Sequence, residues 1–186
     1  MKLIFALGNP TSMYDDTRHN VGFMVADSFA ARHSTKFIEK SKLKAHIAEI
    51  SINSEKVLVA KPTTYYNDVG QSYRAIIDFY KLSPTDVLII HDELKLPFGT
   101  IRTRVGGSDG GNNGIKSLNQ YGGDQTHRLR IGISNDRAEQ MNDADFVLSK
   151  FSLTERSKLD DISEYTLNII NDFIENLFLV TSQTID

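Results

Sequence analysis

Five apolar residues in a row, Leu3-Ile4-Phe5-Ala6-Leu7, run straight into Gly8-Asn9-Pro10. A run of that length reads as a buried strand. The proline has no amide hydrogen to give a ladder, so the chain must leave the sheet there. Two further apolar runs end in polar residues: Val57-Leu58-Val59-Ala60 at Lys61-Pro62, and Val87-Leu88-Ile89-Ile90 at His91-Asp92-Glu93-Leu94. The last run has no polar alternation, which marks a central strand. Behind the first two strand ends come polar loops and then helical periodicity, over Val21 to Arg32 and about Val69 to Tyr80. In open α/β folds, a strand-to-helix loop at the carboxyl edge of the sheet is the usual crevice for ligands.

The rest of the chain fits around this frame. Ala45 to Ile50 alternates, Asn53-Ser54 turns, and Val57 to Ala60 returns, which is a hairpin. The lysine-rich connection before it (Lys36, Lys40, Lys42, Lys44) is expected to be a mobile surface segment. Phe98 to Val105 alternates with Arg102 and Arg104 on one face. His127 to Ile133 reads as the last strand, with Arg128 and Arg130 sharing a face. Between these lie the glycine-rich loop Gly106 to Gly114 and a short helix, Ile115 to Gln120. Residues 134–145 are polar and acidic, as in a mobile flap. Ser152-Leu153-Thr154-Glu155 has capping-box spacing and opens an amphipathic helix to about Phe178. No repeat or boundary interrupts the chain, and its 186 residues suit one domain over 1–186.

Charge is distributed unevenly. The net −3 comprises 0 over residues 1–94, +4 over 95–130 and −7 over 131–186. The middle segment could bind phosphates while the remainder keeps the protein soluble. With no cysteine, thiolate chemistry, cysteine metal sites and disulfides are excluded. No stretch approaches the roughly 20 apolar residues of a membrane span. Met1-Lys2-Leu3 enters the first strand without the apolar stretch of a secretory leader, which is compatible with the cytoplasm.

If the strands are neighbours, their polar ends converge: Asn9 and His19 from the first, Tyr65 and Asn67 from the second, His91 and Asp92 from the third, with Asn112 and Asn113 from a fourth loop. His19 beside Asp92 makes a base and an orienter, the carboxylate fixing the imidazole tautomer. No G-x-S-x-G or other nucleophile motif is present, so the natural task for His19 is to activate water. Asparagine amides offer donors to a developing oxyanion, although each asparagine alone also suits a turn or helix cap. The glycine loop could cradle phosphate, but no Gly-Lys-Ser/Thr closes it. His91-Asp92-Glu93 is contiguous and alternates across the strand, which does not suit a metal site.

Taken together, the motifs resemble those of bacterial peptidyl-tRNA hydrolases over nearly the whole chain. They are Gly8-Asn9-Pro10 with Tyr14 and Thr17-Arg18-His19-Asn20, then Lys61 to Asn67 with Gly70, then His91-Asp92-Glu93-Leu94 with Leu96 to Gly99, Arg102 and Arg104. Gly106-Gly107, Gly110-Gly111, Asn113-Gly114, Lys116-Ser117 and Arg128 to Ile133 continue the likeness. The resemblance implies an α/β fold, one domain with a twisted mixed β-sheet, mostly parallel at its centre and flanked by helices. It implies a monomer that hydrolyses the ester between a peptide and the 3′-terminal ribose of tRNA, with no metal or organic cofactor. Carried over by motif, His19 activates water, Asp92 supports it and Asn9 places the ester. Tyr14, Tyr65, Asn67 and Asn113 contact substrate, and Arg102, Arg104 and Arg130 meet tRNA phosphate.

The chain departs from the family pattern at Asn112 (usually His), Tyr66 (usually Met), Lys95 (usually Asp), Thr11 (commonly Gly) and Ser134-Asn135-Asp136. None of these replaces His19, Asp92 or the three matching asparagines, so they are expected to affect flap motion and fine substrate contacts, not the reaction. Two other classes compete: a non-catalytic RNA-binding relative of the same fold, and a small-molecule phosphate enzyme built on the glycine loop. The intact His19, Asp92 and asparagine set argues against the first, and the missing Gly-Lys-Ser/Thr against the second.

Overall fold

The structure, a computed structural model, describes residues 1–185. Its centre is four parallel strands, β4 (Glu55–Pro62), β1 (Lys2–Ala6), β5 (Val87–Pro97) and β7 (His127–Ser134). Antiparallel strands extend both sides: β3 (Ala45–Ile52) and β2 (Ile38–Lys40) beyond β4, and β6 (Thr100–Val105) and β8 (Ser182–Thr184) beyond β7. The order is β2-β3-β4-β1-β5-β7-β6-β8, a mixed sheet with a parallel centre as expected.

Alternation along β1 sends its apolar side chains to both faces, so both must be covered. Ile4 and Ala6 pack with α1 (Val21–Arg32) and α6 (Leu159–Ile174), whereas Leu3 and Phe5 pack with α2 (Val69–Tyr80) and α3 (Asn113–Gln120). The hairpin between β3 and β4 turns on Asn53 and Ser54, both at positive φ (48° and 66°), the backbone that two-residue hairpins require.

Five expectations are corrected. The strand from Val87 does not end at His91 but runs to Pro97, because β7 continues beside it. Asp92 pairs with Ile131 inside the sheet, and the register shifts only between Glu93 and Pro97. The lysine-rich connection is held down by β2 and by buried Leu43. The capping box at Ser152 and Glu155 forms, but its helix, α5 (Leu153–Arg156), is a single turn and the long helix starts anew at Leu159. That helix stops at Ile174. Asn176 then turns the chain through positive φ (60°), and residues beyond it form β8 against β6, so β7 is not the last strand. Residues 182–184 read Ser-Gln-Thr and are exposed, so no apolar pattern announces them.

Candidate active site

The carboxyl ends of β1, β4 and β5 open into a cavity of about 640 Å³. Close packing of backbone builds it. A Cβ on Gly22, at the start of α1, would lie 2.6 Å from the Leu7 carbonyl and 2.8 Å from that of Ile90. Glycine alone lets α1 begin on top of those two strand ends, and the turn just before it carries His19. Likewise, Gly114 lets α3 start against the Tyr66 ring, which a Cβ would meet at 2.3 Å.

His19 Nδ1 is 2.9 Å from Asp92 Oδ2. As the neutral tautomer Nδ1–H donates to the carboxylate, which leaves Nε2 as the basic nitrogen. The His19 side chain is 15% exposed and lines the cavity, while that of Asp92 is 2% exposed. The other Asp92 oxygen, Oδ1, accepts from the Tyr66 hydroxyl at 2.5 Å. The Tyr66 ring stacks on the imidazole, with centroids 3.5 Å apart and planes within 18°. Asn112 Nδ2 donates to the same hydroxyl at 3.0 Å, and Asn112 Oδ1 caps α3 by accepting from Ile115 N–H. Burial would push the Asp92 carboxyl up, but the charge and hydrogen bond of His19 and the Tyr66 donor outweigh it and hold Asp92 below its usual range. Burial, then the Asp92 charge, raises the Tyr66 phenol well above its ordinary value, so it stays a donor.

Asn9 is locked from two sides. Its backbone N–H donates to Asn20 Oδ1 and its carbonyl accepts from Asn20 Nδ2, while its own Oδ1 accepts from Tyr66 N–H at 2.9 Å. With the acceptor end engaged, Asn9 has its amide hydrogens left to offer, and the residue lines the cavity.

Every expected substrate residue lines the same cavity: Tyr14, Tyr65, Asn67 and Asn113 join His19, Asp92 and Asn9. Tyr14 and Tyr65 meet edge to face at 6.5 Å, Tyr65 largely exposed. His91 lies apart. It is buried, its Nδ1–H donates to the Asp92 carbonyl at 2.7 Å, and burial lowers it to about 4, so it stays neutral and outside the reaction. The far wall is α4 (Asp143–Val147), which begins in the expected flap and runs two residues past it.

The arginines form a separate surface. Residues directly opposed on antiparallel strands share a face, and β6 pairs Arg102 with Arg130 and Arg104 with Arg128. Four guanidinium groups therefore lie on one side of the sheet. Arg102 is exposed and donates to Ser182 Oγ. Arg104 packs over Gly107. Arg130 is half-buried 3.6 Å from Glu93, itself a cavity residue, and so is less free than its place in the motif implies. Arg128 is buried and ties Ser108 of the glycine loop and Asn119 of α3 to the sheet. Burial first, then Arg104 and Arg130, lowers Arg128 to about 10.

Sequence reasoning missed two organising residues and underrated two more. Asn20 aims Asn9. Arg18 is fully buried: it pairs bidentately with Glu155 at 2.8 and 2.7 Å, donates to the Ile133 carbonyl and to Ser149 Oγ, and lies against the rings of Phe146 and Phe151. It thus grips both ends of the segment that carries α4. The capping-box Glu155, which performs both jobs, was the one available signal. Tyr66 and Asn112, expected to touch only fine contacts, instead hold Asp92 directly.

A family model described as "Peptidyl-tRNA hydrolase" matches residues 3–185. A peptidyl-tRNA hydrolase of Chlorobaculum parvum is 45% identical over 177 residues, covering 95% of this chain and 93% of that protein. One from Ligilactobacillus salivarius is 42% identical over 177 residues, covering 95% and 94%. The crystal structure of peptidyl-tRNA hydrolase from Acinetobacter baumannii superposes with a TM-score of 0.87 at 33% identity, covering 95% of this chain and 89% of that one. Among the described residues, no helix is long and apolar enough to cross a membrane.

Proposed function

Because the chain belongs to the peptidyl-tRNA hydrolase family and hydrolyses the ester of peptidyl-tRNA, we propose that His19 is the base that activates water for that reaction. The observation that carries this reading is the 2.9 Å contact between His19 Nδ1 and Asp92, made by a base whose other nitrogen is left for the cavity. Water gives its proton to Nε2 as its oxygen bonds to the ester carbonyl carbon. The Asn9 amide donates to the carbonyl oxygen as charge gathers there. Collapse breaks the bond to the ribose 3′-oxygen, which takes the proton back from the imidazolium. Asp92 stabilises that imidazolium and holds the ring in register throughout. Asn67 and Asn113, exposed at the rim, take the peptide backbone. Tyr14 and Tyr65 offer ring faces to the 3′-terminal bases. The protein works as a cytoplasmic monomer.

Release of an N-blocked amino acid from tRNA tests this assignment. Asp92→Asn is expected to lower kcat on the order of 10² to 10⁴-fold, because an amide favours the wrong tautomer. It also moves the rising limb of the pH–rate profile to lower pH, since the imidazolium loses its carboxylate. A profile that stays in place would break the pairing.

Arg102 and Arg104 extend the site toward tRNA phosphate, with Arg130 linking their face to the cavity through Glu93. Arg102→Ala and Arg104→Ala are expected to raise KM several-fold with little change in kcat. Each should reduce the slope of log affinity against log salt by about 0.7 to 0.9. A salt slope equal to wild type in both variants would move the phosphate contacts elsewhere.

A further inference from the structure

We propose that Tyr66 is a positioning residue for the reaction, its hydroxyl fixing the Asp92 carboxylate and its ring carrying the His19 imidazole, with Asn112 holding the hydroxyl in place. One residue touches three functional groups at once. The backbone N–H of Tyr66 donates to Asn9 Oδ1 at 2.9 Å, its hydroxyl donates to Asp92 Oδ1 at 2.5 Å, and its ring lies 3.5 Å from the imidazole. The residue is 2% exposed and packed against Gly114, so it has no alternative place to go.

Each contact removes a particular freedom. A carboxylate held by a single donor can rotate about its Cβ–Cγ bond and lose the imidazole. With Oδ1 held by Tyr66 and Oδ2 by His19, that rotation breaks two bonds. The stacked ring confines the imidazole to one plane, so Nε2 points in one direction. The phenol also draws charge from the carboxylate and tempers its pull on the imidazolium. Asn112 keeps the phenol aimed, since its Nδ2 donates to the hydroxyl oxygen and obliges the hydroxyl hydrogen to point at Asp92.

Several other groups surround Asp92. His19 faces it from the turn before α1, and Tyr66 from the turn before α2. Asn112 Nδ2 lies 3.3 Å from its carbonyl, and His91 and Glu93 flank it on β5. From β7, Arg130 is engaged with Glu93, and Arg128 bears on His91. Lys95 and Asp143 line the cavity. Besides Asp92, removing the phenol hydroxyl directly touches only Asn112, which keeps its contact with the Asp92 carbonyl and its cap on α3.

Tyr66→Phe keeps the ring and deletes the hydroxyl. It is expected to lower kcat about tenfold, with KM within about twofold of wild type. It also moves the rising limb of the pH–rate profile to higher pH, because an untempered carboxylate favours the imidazolium more. That shift is opposite in sign to the one expected of Asp92→Asn, so loss of the carboxylate and release of it are distinguished by direction. Asn112→Ser retains a capping oxygen for α3 but loses the amide donor. It is expected to lower kcat a few-fold, to shift the limb the same way as Tyr66→Phe, and to have no further effect in the Tyr66→Phe background. Wild-type kcat and profile in Tyr66→Phe, or additive effects of the two substitutions, would overturn the proposal. Should Tyr66→Phe fail to fold, Asn112→Ser decides alone, an unmoved limb counting against it. The proposal rests on His19 as the base. A His19→Ala enzyme of normal rate overturns that assignment, whereas an inactive His19→Ala enzyme beside an unaffected Tyr66→Phe enzyme overturns only the role of Tyr66.

Discussion

His19→Ala is expected to lower kcat on the order of 10² to 10⁴-fold while leaving tRNA binding nearly intact, which is what a positioned general base contributes. The separation follows from the geometry. The imidazole sits in the cavity at the carboxyl ends of the strands, whereas the guanidinium groups lie on the face formed by β6 and β7. The fold survives the change. His19 lies on a short turn, its ring is partly exposed, and its one hydrogen bond among the described residues is the one to Asp92. Asp92 keeps the Tyr66 hydroxyl, so the loss of stability should be about 1 kcal/mol. Turnover measured alongside binding of uncharged tRNA and a denaturant midpoint separates these quantities. A variant with near-normal turnover would remove the imidazole from the mechanism.

The largest effect on stability is expected at Arg18. Arg18→Ala leaves Glu155 largely buried without its partner and frees both ends of the α4 segment at once. Breaking one side of a buried ion pair costs about 3 to 5 kcal/mol, a large share of the stability of a domain this size. Urea unfolding of the variant checks it, and a loss under 1 kcal/mol would show the clamp to be ornamental. The same pair gives a pH signature. Burial opposes ionisation of Glu155, but the hydrogen bonds from Arg18, the Ser152 N–H and Asn135 prevail and lower it from its ordinary 4.5 to about 2. A group lowered on folding contributes its stability fully above the unfolded value. That contribution is therefore lost as the pH falls from about 4.5 toward 2. Glu155→Gln should flatten this acid-side slope relative to wild type.

Much of this architecture was legible before any coordinates, and the reasons are local. Apolar runs such as Val87 to Ile90 report burial directly, and α1 and α2 span the residues that helical periodicity marks. Their connecting loops then had to converge on one sheet edge, and the family motifs supplied the roles. What escaped was non-local. Strand β8 has no apolar residue and exists because β6 offers a free edge. The extension of β5 past Asp92 depends on Gly132, where the Pro97 carbonyl passes within 2.1 Å of a would-be Cβ. The contacts of Tyr66 and Asn112 with Asp92 join three segments 20 to 46 residues apart, which no window of sequence can reveal. Arg18 looked like one more polar loop residue, because its partner lies 137 positions away.

The four guanidinium groups on β6 and β7 crowd positive charge onto one face of the sheet. Like charges set directly across a strand pair push each other apart, and here Glu93, the more distant Asp109 and Asp124, and a few carbonyl, amide and hydroxyl oxygens offset them in part. The free enzyme therefore folds with this face electrostatically frustrated. The row of phosphates proposed to pass over it would relieve that mutual repulsion as well as making contacts of its own. On that proposal, the grip on RNA and the rigidity of this end of the sheet would draw on one electrostatic reservoir, and substrate loading would tighten the fold locally.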